Sequence, residues 1–147
     1  MKWLLDSNVL LRLADSSCDE NATAVRAIQF LIQSGEGLSL CPQTLIEFWA
    51  VATRPRPVNG LGWSPSETAA HIRGLRAQFE FIDDGPGAFD VWWELVTAAR
   101  ASGKRVHDLR LLAFATARRI DAILTFNLDD FPQPAPVQVL HPAAVLS

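Results

Sequence analysis

Short apolar runs alternate along this chain with longer stretches in which apolar residues recur every three or four positions. Lys2–Leu5 is an apolar run that stops at Asp6, Ser7 and Asn8, which predicts a buried strand with polar residues at its carboxyl end. In Asn21–Gln33, Val25, Ile28, Leu31 and Ile32 fall at helical spacing, and Gly35 can end that helix. Residues 38–40 predict a second strand. Pro42 suits a first helical position, and Leu45, Phe48, Trp49 and Ala52 continue from it as an apolar stripe. Residues 54–62 hold two prolines and two glycines and predict a loop. Ser64, Pro65 and Glu67 form a capping box with proline just inside, which starts another helix. A third strand is expected at 79–82, helices at 88–101 and 108–119, a fourth strand at 121–126 and a fifth at 137–140.

Strands separated by helices argue for an α/β chain with a parallel sheet covered on both faces. The 147 residues, 49% hydrophobic and 20% charged, fit one globular domain spanning 1–147, with no repeat or linker. Cys18 and Cys41 lack ligand-spaced neighbours and read as reduced, small apolar residues, which suits a cytoplasmic protein. An acid at position 6 argues against a signal peptide. No apolar run approaches the ~20 residues that cross a bilayer, so no membrane role is expected.

A net charge of −3 argues against nucleic-acid binding by charge alone, which needs a basic protein, so any such binding would need cations to offset the chain's acids. Ligands of an open parallel sheet bind beyond the carboxyl ends of its strands. Asp6 lies at the end of the first expected strand, and Asn127, Asp129 and Asp130 lie just past the fourth. Glu47 follows the second strand within a helix, and Asp108 opens the helix before the fourth strand. Several carboxylates at one edge repel unless a cation joins them. Oxygen-only ligands suit Mg²⁺ or Mn²⁺, the ions that activate water against a phosphodiester.

Each acid also has a plain structural use. Asp6 suits a turn, and Asp108 suits a helix N-cap or first turn. Glu47 sits among Leu45, Ile46, Phe48, Trp49 and Val51, and a buried glutamate needs a partner such as a metal or an arginine.

Taken together, four segments resemble the PIN-domain family, and within it the VapC toxins of bacterial toxin–antitoxin pairs. They are residues 4–10 around Asp6 and Asn8, residues 44–48 around Glu47, residues 106–109 with Leu112 and Ala113 around Asp108, and residues 123–131. In the last, a threonine and one more polar or acidic residue complete the family's site. The resemblance implies a three-layer α/β/α sandwich with a mostly parallel sheet of four to five strands. It implies metal coordination and water activation by Asp6, Glu47 and Asp108. Where many members carry an acid, this chain has Asn127, which can ligate but adds no charge; Asp130 is then the better fourth carboxylate and Asp129 the second choice. It further implies an endoribonuclease using Mg²⁺ or Mn²⁺, a homodimer, and a cognate VapB-like antitoxin.

For the RNA backbone the candidates are Arg54 and Arg56 in the proline loop and Arg110 near Asp108. Trp92 and Trp93 are neighbours on a helix and point about 100° apart, so they cannot share one core stripe. His71, His107 and His141 lack ligand spacing, and only His107 adjoins a candidate acid. With no histidine pair placed to use a 2′-hydroxyl, the expected products carry a 5′-phosphate and a 3′-hydroxyl. Two other classes compete: a phosphatase or phosphotransferase using Asp6 as nucleophile, and a non-catalytic RNA-binding module of PIN-like fold. Asn8 breaks the Asp-x-Asp pattern of the first.

Overall fold

Trp3 and Leu5 point to one side of a strand and Leu4 to the other, and all three are apolar, so the strand must be buried on both faces. The computed structural model describes residues 1–147 and places this strand, β1 (Lys2–Leu5), at the centre of a five-stranded sheet. The other strands are β2 (Gly37–Leu40), β3 (Glu80–Phe81), β4 (Ala122–Leu124) and β5 (Gln138–Leu140). They run in the order β3-β2-β1-β4-β5, and every pairing is parallel. Seven α-helices connect them: α1 (Ser7–Ala14), α2 (Asn21–Gln33), α3 (Pro42–Ala52), α4 (Pro65–Gln78), α5 (Ala88–Ala99), α6 (Arg105–Ala117) and α7 (Pro142–Val145). The expected three-layer α/β/α architecture is thus present, with five strands.

The two faces carry separate cores. Trp3, Leu5, Leu40 and Leu124 pack with Val9, Leu10, Ile28, Leu31, Phe48 and Leu75 from α1, α2, α3 and α4. Leu4 and Ile123 pack on the opposite face with Leu109, Leu112 and Phe114 of α6. The chain leaves β1 for β2 on one side and later reaches β4 on the other. The crevice at the carboxyl ends of β1 and β4 is therefore the switch point where such sheets bind ligands. Leu5 pairs with Leu124, which sets Asp6 beside Thr125 at that point.

Several boundaries differ from the pattern reading. Helix α1 follows Asp6 directly, where only a polar strand end was expected; Asp6 caps it by accepting from the Ser7 amide. Helix α6 begins at Arg105, so Asp108 lies in its first turn and is not its N-cap. The third strand shrinks to two residues at the sheet edge, where pairing exists on one side only. The proline loop holds a short 3₁₀ turn, Arg56–Val58, and a second such turn, Leu128–Asp130, follows β4. The capping box forms as expected: Ser64 accepts from the Glu67 amide and Glu67 from the Ser64 amide. No helix is long and apolar enough to cross a membrane.

Candidate active site

Asp6 is buried, and its two oxygens are held differently. Oδ1 accepts from the Ser7 amide at 2.7 Å. Oδ2 accepts from the Thr125 hydroxyl at 2.8 Å and from Asn8 Nδ2 at 3.2 Å. Asn8 in turn donates to Thr125 Oγ1 and accepts from the Phe126 amide, so it laces β1 and α1 to the end of β4. The Asn127 amide also donates to Thr125 Oγ1. This network fixes one carboxylate at the switch point with both oxygens already oriented.

Glu47 arrives on α3. Its Oε2 accepts from the Ser7 hydroxyl at 3.0 Å, and that same hydroxyl lies 3.5 Å from Asp6 Oδ1, so Ser7 spans the two acids. Glu47 Oε1 accepts from Gln43 Nε2, one helical turn earlier, at 2.8 Å. Arg110 Nη1 then donates to Gln43 Oε1 at 2.8 Å, and Arg110 Nη2 to Asp84 at 3.0 Å. Glu47 is half-buried, and its partners within the chain are Ser7 and Gln43; the nearest arginine in this network, Arg110, reaches it only through Gln43. The apolar neighbours Ile46 and Trp49 face outward, 68% and 38% exposed, which explains how an acid is tolerated on so apolar a helix.

Asp108 and Asp130 close the opposite side, and Lys104 lies between them. Its ammonium is 3.2 Å from Asp130 Oδ2 and 3.8 Å from Asp108 Oδ1. Burial pulls the Lys104 ammonium down, but the Asp130 hydrogen bond and the charges of Asp108, Asp130 and Asp6 outweigh it and leave it raised. Lys104 is the residue that sequence reasoning missed. Asp130 is 26 positions away, and no local pattern links the two. Gln43 was also missed, although its i,i+4 spacing from Glu47 is a signal.

The four carboxylates feel one another. Burial pushes the Asp6 carboxyl up from 3.8 to about 6; the Thr125 hydrogen bond opposes this, and the charges of Glu47 and Asp130 add to it. Burial also raises Asp108; Lys104 opposes that rise, and Asp130 and Glu47 reinforce it. The folded chain thus keeps the Asp6 proton at pH values where the unfolded chain has lost it. The resulting stabilisation is complete below pH 3.8 and lost as pH rises through about 6, an effect of about 3 kcal/mol. Urea unfolding of metal-free protein is expected to show a falling component between pH 4 and 6.5 in the wild type and a smaller one in Asp6→Asn, where only the raised Asp108 remains. Equal slopes in the two proteins would refute the raised carboxyl.

A cavity of about 490 Å³ adjoins this centre and is lined by Ser7, Gln43, Glu47, Arg54, Lys104, His107, Asp108 and Arg110. Arg54 and Arg110 therefore face the acids. Arg56 instead lies 3.6 Å from Asp15, outside the cleft lining. Asn127 and Asp129 are exposed, whereas Asp130 is half-buried and joined to Lys104. No three histidine, cysteine, aspartate or glutamate side chains stand close enough to form a ready-made ion cage. Glu47 and Asp108 line this cavity, and the four acids are more widely spaced than a closed coordination shell.

The fold has counterparts among solved structures. VapBC2 from Rickettsia felis, bound to a promoter DNA fragment, matches with a TM-score of 0.73 and 15% identity over 96% of this chain and 98% of that one. VapBC-1 from nontypeable Haemophilus influenzae matches at 0.71 and 16% identity over 97% and 99%. VapC20 from Mycobacterium tuberculosis, a toxin that cleaves the sarcin–ricin loop, matches at 0.59 and 14% identity over 82% and 86%. At these identities the likeness is one of fold. No curated protein matches the chain by sequence. The family model described as PIN domain matches residues 3–135, which include Asp6, Glu47, Asp108 and Asp130, and the chain accordingly belongs to the PIN domain family.

Proposed function

We propose that residues 1–147 form one PIN-like domain that acts as a metal-dependent endoribonuclease, the toxin of a VapBC-type pair. One arrangement carries this reading: Ser7 spans Asp6 and Glu47, and Lys104 spans Asp108 and Asp130, so acids from four separate segments gather in two bridged pairs. The donors are all oxygens, and a carboxyl held up near 6 chiefly by burial, with Glu47 and Asp130 adding to the rise, is a group whose charged form a divalent cation would favour. The chemistry of the set therefore fits Mg²⁺ or Mn²⁺. Asp6, Glu47 and Asp108 would hold the ion, with Asp130 as fourth carboxylate and Asn127 as a neutral ligand at the rim.

When bound, such an ion supplies a water of lowered pKa and draws charge from the phosphate oxygens. The chain's own residues do the rest. Thr125, Asn8 and the Ser7 amide hold Asp6 still. Ser7 and Gln43 aim Glu47. Arg54 and Arg110 face the cleft and would meet the RNA backbone, with Arg56 at its margin. Both oxygens of Asp6 are tied to donors, which suits a fixed ligand better than a nucleophile that must swing onto phosphorus. The partners would be RNA, a VapB-like antitoxin and a second copy of the chain in a cytoplasmic homodimer. The outward-facing Ile46 and Trp49 beside the cleft support a protein partner.

Structured RNA incubated with the protein and Mn²⁺ or Mg²⁺ is expected to yield fragments with 5′-phosphate ends. EDTA should stop the reaction, and added Mn²⁺ should restore it. Cleavage that persists in EDTA would overturn metal dependence. RNA binding with no cutting under any ion would favour the non-catalytic module.

A further inference from the structure

A second cavity lies beside the acidic cleft and is built differently. It has a volume of about 350 Å³, and Phe89, Trp92, Phe114, Asp84 and Arg110 help line it. Arg110 lines both this cavity and the acidic cleft, so the two share a wall. A continuous chain of hydrogen bonds runs along that wall, from Asp84 through Arg110 and Gln43 to Glu47.

The lining suits an RNA base. Phe89 is 67% exposed, and its ring centroid is 5.5 Å from that of Trp92, with the planes tilted by 40°. The indole of Trp92 is pinned, because its Nε1 donates to the Val106 carbonyl at 2.8 Å. Trp92 is therefore fixed, and Phe89, which also stacks on Trp93 with centroids 6.4 Å apart, keeps an exposed face toward solvent. Asp84 and Arg110 place an acceptor and a planar set of donors at the polar end. Arg118 crosses the loop here: a Cβ on Gly85 would lie 2.3 Å from Arg118 Nη1. A second guanidinium thus stands near the cavity for an adjacent phosphate.

We propose that this cavity takes one unpaired base of the RNA, next to the phosphate held at the acidic centre. The proposal rests on the ribonuclease reading and adds to it a subsite for single-stranded substrate. Stacking platforms work with any base, because every base offers a π-face, and a lining of aromatics plus arginine is that kind of platform. The cavity lies near the lower end of the volumes usual for small-ligand sites, which suits one flat ring system.

The probe is a twelve-nucleotide oligoadenylate, and its control is an abasic oligomer of equal charge. Binding is read by tryptophan quenching and by titration with Mg²⁺ present. Both are done with Asp6 intact, at low temperature, and the oligomers are checked for intactness afterwards so that cutting does not confound binding. Phe89→Ala is expected to weaken oligoadenylate binding about tenfold and to leave the abasic control unchanged. Phe89→Trp should restore the affinity, which also shows that the change is one of stacking. Phe89 is so exposed that its removal should leave the circular dichroism spectrum intact. Equal oligoadenylate affinity with and without the Phe89 ring would overturn the base subsite, while RNA cleavage by the otherwise wild-type chain would leave the nuclease reading standing. Sedimentation that shifts to a smaller species on Phe89→Ala would mark the cavity as a protein contact and overturn the proposal. Failure of the wild-type chain either to bind or to cut RNA would remove the nuclease reading and the subsite with it.

Discussion

Asp6→Asn is expected to lower RNA cleavage on the order of 10³-fold or more and to leave a folded chain. Charge stabilisation by a bound ion contributes several kcal/mol to such a reaction, and each 1.4 kcal/mol is about tenfold in rate. Asp6 is the buried member of the acidic set and the one fixed by three donors, so its charge is placed most firmly. An asparagine keeps the side-chain shape but removes the charge an ion would need. One amide oxygen can still accept from Thr125 and Asn8, but the NH₂ group then faces the Ser7 amide as a second donor. Weaker ion binding should accompany the lost rate. Calorimetric titration with Mn²⁺ would register it, and an affinity equal to wild type would refute the role of Asp6. Thermal unfolding in EDTA separates this from a folding defect, because metal-free Asp6→Asn should unfold cooperatively.

Phe48→Ala should lower stability by about 4 kcal/mol, the range for emptying a large aromatic site in a core. Phe48 is fully buried, packs edge-on to Trp63 with centroids 5.9 Å apart, and stacks on His71 at 5.4 Å. Burial within this cluster also pulls the His71 imidazole below its ordinary value. For a chain of this length the loss corresponds to a fall of roughly 10 °C in Tm. A loss below about 1 kcal/mol in urea unfolding would mean that α3 can collapse onto the space, against the close packing of this core. Phe48 follows Glu47 directly in α3, so the same substitution loosens the helix that aims that acid. Reduced cleavage in the surviving folded fraction is the accompanying expectation.

The layered fold and its acids were legible because they depend on local signals. Apolar runs ending in polar residues marked β1, β2 and β4, and the capping box marked α4. Helix α1 was not legible, because Asp6, Ser7 and Asn8 are as suited to a turn as to a helix start, and the helix spans eight residues. The choice was made by burial of Val9 and Leu10 in the core, which is a tertiary effect. Asp6 and Glu47 could be named from their surroundings. Lys104 carried one local signal, its i,i+4 spacing from Asp108, but its contact with Asp130 comes from packing against the turn after β4. Asp130 was favoured over Asn127 by charge and over Asp129 by the family resemblance, and it is the half-buried one of the three. Arg56 followed the same logic as Arg54 but is held away by Asp15.

The order of the strands has one more consequence. Because β1 stands in the middle, β2 and β3 build one wing of the sheet, and β4 and β5 build the other. Residues 1–63 carry Asp6 and Glu47, and residues 64–147 carry Asp108 and Asp130. Neither fragment alone would contain the complete acidic set, and the Asp6–Thr125 hydrogen bond would exist only after they dock. A chain divided in the proline loop would thus behave as a two-part device, silent until something brings its halves together.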